Sequence, residues 1–583
     1  MRPTHTPLIA RRTSVLAETV AACQPPQIMP GRLTRMSTLL RWILPILLFF
    51  VFVDSTTFAQ DTTDPAPVEE VTTDQKIDEL FGNSTDWFVN SVFSEIDVNG
   101  YPVLWIVLWL AAAGLVFTIA FRFINIRAFP LALRTVRGKY SLDTDPGEIT
   151  HFQALTAAVS GTVGLGNIAG VAIGITIAGP GVAFWLFLSG FLGMATKFAE
   201  CTLGVKYREI DANGNIHGGG MQFLRKGFAE RGLAPVGTVL AILFAVFCVF
   251  ASFGGGNVFQ INQATSQLLN VTGGETSFFA DKQWLFGLIM AIVTGAVIIG
   301  GIRGIAKVTS KLVPMMCVVY IISAILVLIV NAGHIPAAIQ EIFSEAFKPR
   351  AAVTGGFLAV FIWGMRRATF SNEAGIGSAP IAHSAAKTRM PASEGVVALL
   401  EPFIDTVIVC TMTSLVLVTS MHFDGDAGTF AVNGQTFELG AAANNSTSFG
   451  IGVTSAAFET VHDGFKYVLF ACVLLFAFST LITWSYYGLQ AWQFLFGKNK
   501  FVGLVYKLIF CGIIVAGASA SMGKAVDFSD ASLFAMSIPN LIGVYFLMPV
   551  VSRELKKFQK FTKRIDGGES VESAAAAVDA ESP

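Results

Sequence analysis

The sequence predicts an all-α integral membrane protein with eleven transmembrane helices, and three observations support this fold class. Hydrophobic residues make up 53% of the 583 residues and charged residues only 14%, a balance that soluble domains do not show. Apolar runs of about twenty residues, the length that crosses a bilayer, recur along the chain. Lys and Arg are concentrated in alternate connections between these runs, which is typical of a multi-pass membrane protein.

The N-terminal region 1–59 is predicted to be an extension followed by a signal peptide. Arg41 precedes the apolar run 42–53, and small residues follow this run up to a cleavage site before Gln60. A start at Met36 suits such a peptide better than the first Met does. Cleavage at this site would leave a mature protein that begins on the outer side of the membrane.

The next segment, 60–100, is polar, acidic and contains Pro. It has too few large apolar residues to form a hydrophobic core of its own. We therefore expect a flexible segment outside the membrane.

Eleven apolar runs qualify as spans and are numbered one to eleven in chain order. Span one is an extra N-terminal helix in the segment 101–123, and the other ten fall into two groups of five, 150–332 and 353–551, before a tail at 552–583. The bounds of these ten spans are 150–178, 182–204, 235–265, 284–301, 311–332, 353–386, 395–420, 465–494, 501–523 and 530–551.

The charge distribution predicts the orientation of these spans. With the mature N-terminus outside, the inner connections and the tail hold 24 Lys and Arg residues and the outer segments hold five. The long 421–455 loop, placed outside, has no Lys or Arg. Positive residues accumulate on the cytoplasmic side, so the sequence predicts a bacterial inner-membrane protein with a cytoplasmic C-terminus. An uncleaved signal segment would not change the orientation of the remaining spans.

Spans two and seven are interrupted by glycine. In span two, Gly161, Gly164 and Gly166 fall within six residues, and each interior Gly costs about 1 kcal/mol of helix stability relative to Ala. Span seven is interrupted similarly within 364–378. One interpretation is a small-residue packing face between helices; the other is an unwound segment that lines a binding cavity.

The spacing of the two breaks favours the binding interpretation. They lie five helices apart, and an odd number of helices inverts the second unit relative to the first, which is the pattern of an inverted-repeat secondary transporter. Backbone N–H groups at a half-helix N-terminus attract a carboxylate, and unwound carbonyls bind a cation. The residues alone therefore predict a site for a small zwitterion and a cation.

Four sequence strings carry a resemblance to a known family: GTVGLGNIAGVA at 161–172, KFAE at 197–200, GGIRGIAKV at 300–308 and FSNEAGIGSAPIAH at 370–383. Over most of 95–560 the chain resembles the alanine or glycine:cation symporters, whose fold is leucine-transporter-like with one added N-terminal helix. Ala368 stands where family members often have Gly. The resemblance implies inward transport of a small neutral amino acid, chiefly alanine or glycine, with sodium or sometimes protons.

The predicted substrate and cation contacts come from spans two, four, seven and nine. Residues expected to contact the amino acid are Thr162, Gly164, Gly166, Asn167, Phe253, Phe370, Ser371, Thr480 and Trp484. Residues expected to bind the cation are Gly161, Val163, Ser479, Thr480 and Thr483.

Purely structural roles stay open for several of these residues. Asn167 could instead bond a freed backbone carbonyl, and Thr hydroxyls often bond the carbonyl four residues earlier in their own helix. Trp484 could simply fill space in the bundle. For Asn257 and Gln260 of span four, hydrogen bonding between helices is the favoured interpretation.

Charged residues inside the membrane each require a partner or a wet cavity. Lys197 and Glu200 are spaced to pair along one helix face, and Arg367 with Glu373 or Glu401 is predicted to form a cytoplasmic gate. A permanent structural pair is the alternative.

The sequence predicts no metal centre and no cofactor apart from the coupling cation, since the His residues lack ligand spacing. The net charge of −1 shows no basic excess for nucleic acid. The expected partners are alanine or glycine, Na⁺ and the lipid bilayer.

Three other functions were weighed against sodium symport. Proton coupling through Glu373 or Glu401 is the nearest alternative. A channel would be expected to show repeated filter or pore rings, and an enzyme would need an activated nucleophile or a metal site; neither pattern is found in the sequence.

Overall fold

The computed structural model describes residues 72–98, 101–212, 214–349, 356–424, 429–438 and 450–580. The predicted extension and signal peptide, 1–59, lie outside the described residues. Within them the chain is mostly helical, with three small antiparallel sheets.

The elements preceding and forming the first half of the bundle are α1 (Thr73–Val92), β1 (Glu95–Val98), β2 (Tyr101–Leu104), α2 (Trp105–Ala120), α3 (Ile124–Arg127), α4 (Phe129–Val136), α5 (His151–Thr162), α6 (Ala169–Ala178), α7 (Val182–Lys206), β3 (Glu209–Ile210), β4 (Ile216–His217), α8 (Gly220–Ala229), α9 (Ala234–Phe253), α10 (Phe259–Thr272), α11 (Gln283–Ile298), α12 (Gly301–Val330) and α13 (Ile335–Glu345). A π-helical turn, Gly254–Val258, joins α9 to α10.

The second half contains α14 (Gly356–Asn372), α15 (Ala379–His383), α16 (Pro391–Ala398), α17 (Leu400–Pro402), α18 (Thr411–Ser420), β5 (Met421–Asp424), β6 (Thr429–Val432), β7 (Gln435–Glu438), α19 (Ile451–Glu459), α20 (Phe465–Phe496), α21 (Lys500–Ser519), α22 (Met522–Asp566) and α23 (Val571–Ala580). A π-helical segment, Phe403–Cys410, joins α17 to α18.

Seven continuous helical segments in the described chain are long and apolar enough to cross a membrane, and the bent pair of α5 and α6 brings this number to eight. Helices α2 and α11 are apolar but shorter, and α14 has 17 residues before its break. These three correspond to predicted spans one, five and seven. The multi-pass helical fold is confirmed, while the count of eleven stays a prediction.

The segment expected to be flexible contains an ordered helix, so that expectation was wrong for 72–98. Helix α1 starts with a capping box between Thr72 and Gln75. It does not form a core of its own but packs on α22 and α21. The Phe88 ring stacks on Phe250 at 5.0 Å, and the Lys524 ammonium contacts the Asp78 carboxylate at 3.0 Å.

We expect Phe88→Ala to detach α1 from the bundle, because the ring is 5% exposed and removing a buried Phe costs about 3 kcal/mol or more. Limited proteolysis within α1 should become faster. Leu80→Ala in the same helix is the matched control, since Leu80 is 70% exposed. Equal proteolysis of both variants would contradict the docking of α1.

Two other segments also contain regular structure. The 421–455 region, predicted as a loop, forms the sheet β5-β6-β7 and the buried helix α19. In the tail, α22 continues to Asp566, whose carboxylate accepts hydrogen bonds from Arg134 at 2.9 Å and Lys139 at 2.8 Å. Burial and the hydrogen bond to Asp566 raise the pKa of Tyr140 to about 12. The tail is thereby fastened to the connection that follows span one.

Candidate functional site

Span two is broken where its glycines predicted. Helix α5 ends at Thr162, Gly164 is extended, and a 3-10 turn, Leu165–Asn167, leads into α6. The two half-helices meet at 58°. The Thr162 hydroxyl donates to the Val159 carbonyl at 3.3 Å, so it bonds within its own helix.

The amide groups at this break are held by side-chain oxygens. The Gly164 N–H donates to Asn167 Oδ1 at 2.9 Å, and the Leu165 N–H donates to Gln260 Oε1 at 2.9 Å. Gln260 thus connects span four to the break itself, a role that goes beyond simple helix-to-helix bonding.

Span seven is broken between α14 and α15. Glu373, the first residue of the break, has φ +56°, and Gly375 and Gly377 have φ +93° and +87°. A left-handed backbone is uncommon for a residue with a side chain and costs about 1 kcal/mol or more. Such strain persists where the surrounding structure holds it, which makes Glu373 a candidate functional residue.

The two breaks lie against each other. A Cβ atom added to Gly166 would come within 3.1 Å of the Phe370 ring, and one added to Gly164 would lie 2.5 Å from Thr480 Oγ1. Span two therefore approaches spans seven and nine closely at these two glycines, and a side chain at position 164 would force its neighbours to move.

Trp484 bridges the two breaks. Its indole N–H lies 3.0 Å from Glu373 Oε1 in span seven and 3.3 Å from the Gly161 carbonyl in span two. The side chain is 1% exposed, and its Cβ would be 2.3 Å from a Cβ added to Gly256. The predicted pairing of Thr480 and Trp484 on one face of span nine is found at this centre.

A first group of oxygen atoms surrounds Ser160. Its hydroxyl donates to the Ser479 carbonyl at 2.8 Å and accepts from Thr483 Oγ1 at 3.0 Å. Its carbonyl accepts from Thr480 Oγ1 at 3.2 Å. The three predicted cation residues of span nine are thus brought beside span two, next to the predicted Gly161.

A second group of oxygen atoms surrounds Asp405, which lies in the π-helical segment of span eight. Its carboxylate accepts from Asn167 Nδ2 at 2.7 Å, from Ser371 Oγ at 2.8 Å and from Thr406 Oγ1 at 2.6 Å. These partners are all neutral, and Asp405 is fully buried. The predicted residues Asn167 and Ser371 converge here on an acid that sequence reasoning did not include in the site.

The two predicted aromatic residues lie in different surroundings. Phe370 makes an edge contact with Phe259 at 4.7 Å between ring centroids, and the Arg367 guanidinium lies 5.1 Å from the Phe370 ring. Phe253 stacks on Tyr506 at 5.8 Å instead. The structure does not bring Phe253 to this centre.

The predicted charge pairs were wrong in their partners. Arg367 and Arg366 both bond the buried Asp530 of α22, so Arg367 forms no gate with Glu373 or Glu401. The Lys197 ammonium contacts Glu401 at 2.9 Å rather than Glu200. Long side chains can reach a neighbouring helix as easily as the next turn of their own.

The remaining two carboxylates are also bonded. Glu200 accepts from Asn540 at 2.5 Å, and Glu373 accepts from Ser378 and Trp484. Asn540 and Trp484 come from distant helices, whereas Ser378 lies five residues from Glu373 in the same break.

These features define a class: a multi-pass membrane transporter with a buried polar centre at two helix breaks. The model of the sodium:alanine symporter family matches residues 86–572. The chain belongs to this family, and its class is that of cation-coupled amino-acid transporters.

Two curated relatives and one solved structure are similar to the chain. The sodium/alanine symporter AgcS of Methanococcus maripaludis is 39% identical over 78% of this chain and 94% of its own length. The probable sodium/glutamine symporter GlnT of Bacillus subtilis is 31% identical over 79% of this chain and 90% of its own length. The crystal structure of MhsT in complex with L-phenylalanine has a TM-score of 0.48 and 15% identity, covering 68% of this chain and 89% of that one.

Proposed function

We propose that the protein imports a small neutral amino acid, alanine or glycine, together with Na⁺ by alternating access. The observation that carries this proposal is the Trp484 indole, which joins the broken backbones of spans two and seven at one buried centre. A movement of the backbone at either break would therefore displace the backbone at the other through Trp484. The resemblance to a sodium/alanine symporter supports the choice of substrate.

The substrate carboxylate binds at the N-terminal end of the second half of span two. There the N–H groups of Gly164 and Leu165 point at amide oxygens of Asn167 and Gln260. A carboxylate oxygen is a stronger acceptor than an amide oxygen, and the helix dipole adds to its attraction. In this proposal the carboxylate displaces the Gln260 amide.

The size of the substrate is limited by the close approach of the elements around it. Thr480 and Gln260 stand 2.5 Å and 2.9 Å from where a Cβ on Gly164 would be. The Phe370 ring makes an edge contact with Phe259 beside Gly166, and Trp484 spans the two breaks. Such a site suits a methyl group or hydrogen as the substrate side chain.

Sodium binds at the oxygen groups around Ser160 and Asp405. Hard cations prefer oxygen ligands. The group at Ser160 offers hydroxyl and carbonyl oxygens, and the group at Asp405 offers carboxylate and hydroxyl oxygens. Among the described residues, the buried Asp405 carboxylate is bonded only by neutral donors. Its negative charge is therefore not balanced, and an unbalanced charge is costly inside a membrane. A bound Na⁺ would neutralise it. The predicted backbone ligands Gly161 and Val163 stay part of this proposal.

The architecture is one extra helix followed by two inverted groups of five, in the inner membrane with the C-terminus in the cytoplasm. In that orientation Asp530 lies near the outer end of span eleven. The Arg366–Asp530–Arg367 cluster then acts as an outer gate, in place of the cytoplasmic gate that the sequence suggested.

Uptake of labelled alanine into proteoliposomes tests the proposal. An imposed inward sodium gradient should concentrate alanine, and an imposed proton gradient in potassium buffer should not. Protein-free liposomes are the control. Uptake driven equally well without sodium would support the proton-coupled alternative and overturn sodium symport.

A further inference from the structure

Five buried ionisable side chains form a continuous series that the proposed amino-acid and sodium sites do not use. They come from four parts of the bundle and are 0–2% exposed. In spatial order they are His151, Glu394, His383, Glu401 and Lys197, and we call them the relay.

Three of the four contacts along the relay are hydrogen bonds, and the fourth is an approach of 3.7 Å. His151 Nδ1 contacts Oε1 of Glu394. His383 Nδ1 contacts the other oxygen, Oε2, at 2.5 Å. The second His383 nitrogen, Nε2, faces Glu401 Oε2 at 3.7 Å. The other oxygen of Glu401 accepts from the Lys197 ammonium at 2.9 Å.

The first residue of the relay lies beside an open cavity. His151 forms part of the wall of a cavity of about 620 Å³ that Thr150, Arg137, Asp143 and Lys387 also line. Among the described residues, His151 Nε2 has no hydrogen-bond partner. The His151 imidazole thus lies between the cavity and the Glu394 carboxylate.

The charge of the relay leaves room for one proton. Two carboxylates and one ammonium give a net charge of −1 when both imidazoles are neutral, and one added proton brings the charge to zero. Neutrality is strongly favoured in a buried site. Imidazole is the side chain that ordinarily changes charge between about pH 5 and 8.

Other charged or titratable groups also face the relay, and Arg208 and Asp145 among them have partners of their own. Arg208 donates to four backbone carbonyls, those of Ser384, Ala386, Pro146 and Thr388. Asp145 is paired with Arg389. The remaining groups that face the relay are Glu200, Cys201, Glu373 and Tyr487.

We propose that the relay is a buried proton-binding site, filled from the cavity beside His151, whose occupancy controls opening of the bundle at that end. One proton enters from cavity water, and the products are hydroxide in the cavity, neutralised by buffer, and an imidazolium at His383. No other bond is made or broken.

The mechanical effect follows from where the two imidazoles sit. His151 begins α5 and His383 ends α15, so both lie on the half-helices of the broken spans that share one side of the breaks. A charged His383 would hold Glu401 Oε2, which has no hydrogen-bond partner among the described residues. Glu401 would then be shared between His383 and Lys197, and the ion pair of Lys197 with Glu401, which joins α7 to span eight, would weaken.

The link to transport rests on the proposed function, whereas proton binding does not, so two measurements are needed. In proteoliposomes with constant outside pH, wild-type alanine uptake should change at least about threefold between inside pH 6 and 8. His383→Gln should keep uptake but lose this dependence. His217→Gln is the matched control, because His217 is also buried but bonds Gln490 instead of a relay residue.

The second measurement is infrared difference spectroscopy of the purified protein in nanodiscs between pH 6 and 8. Imidazole and carboxylate bands should titrate together in wild type and in His217→Gln. The carboxylate band that titrates together with an imidazole should be lost in His383→Gln and reduced in His151→Gln, whereas the imidazole bands of the exposed His334, His422 and His462 should persist in every variant. The His151→Gln result decides the matter if His383→Gln does not fold. The proton site would be overturned if the imidazole and carboxylate bands that titrate together were unchanged in the relay variants or were not found in wild type. This outcome does not depend on whether the protein transports alanine. Uptake with the same pH dependence in wild type and His383→Gln would overturn its control of transport.

Discussion

Gly164→Ala should abolish sodium-dependent alanine uptake. The added Cβ would lie 2.5 Å from Thr480 Oγ1 and 2.9 Å from Gln260 Oε1, distances that real Cβ atoms do not tolerate. Spans two and nine must separate, and displacement by about 1 Å at a positioned site costs about a hundredfold in rate. Initial rates in proteoliposomes at equal protein content measure the loss.

Gly170→Ala is the matched control for this substitution. It places the same methyl group in the same span, but the nearest atom, the Leu165 carbonyl oxygen, is 4.0 Å away. We expect near wild-type uptake. If Gly164→Ala transports as well as Gly170→Ala, the two breaks do not form the binding centre.

Asp405→Asn should raise the sodium concentration needed for half-maximal uptake by about tenfold or more, the effect of losing about 1.4 kcal/mol of cation binding. The amide keeps the shape of the side chain, but it has one oxygen in place of the two that accept from Asn167 and Ser371, and it has no charge with which to hold a cation. The measurement is the sodium dependence of initial alanine uptake.

Asp86→Asn serves as the control for Asp405, because it removes the same charge at an exposed position in α1. Its sodium dependence should be that of wild type. An unchanged sodium requirement in Asp405→Asn would exclude this acid from the cation site.

The breaks could be predicted from the sequence because helix breaking is a local property. Glycines clustered inside an otherwise apolar run, such as Gly161 to Gly166, oppose a helix wherever the run packs. Hydrophobicity likewise marks the spans without knowledge of their neighbours. The multi-pass fold, both breaks and the glycines at their contact were therefore accessible.

The partners of the polar side chains were not accessible, because they are distant in sequence. Asp405 lies 238 residues from Asn167, and Gln260 lies 95 residues from Leu165. The only signal for Asp405 was that a carboxylate inside an apolar run must have some function. For Arg367 the nearest acids in sequence were the wrong choice, since its partner Asp530 is 163 residues away.

The order of α1 could not be predicted for a related reason. The segment cannot form a core of its own, so its composition resembles that of a disordered chain. Phe88 finds its apolar partners on other elements of the bundle, Phe250 and Phe528. Composition indicates how much apolar surface a segment can bury by itself. It does not indicate the apolar surface that neighbouring elements provide for it to pack on.

The central claim is that an amino acid and a sodium ion bind together where the two breaks meet. Equilibrium binding of labelled alanine to the purified protein tests this most directly, because binding needs no transport. Alanine should bind more tightly in sodium than in potassium, and alanine should strengthen sodium binding by the same factor, as linkage requires. Equal alanine affinity in the two salts would contradict a shared site.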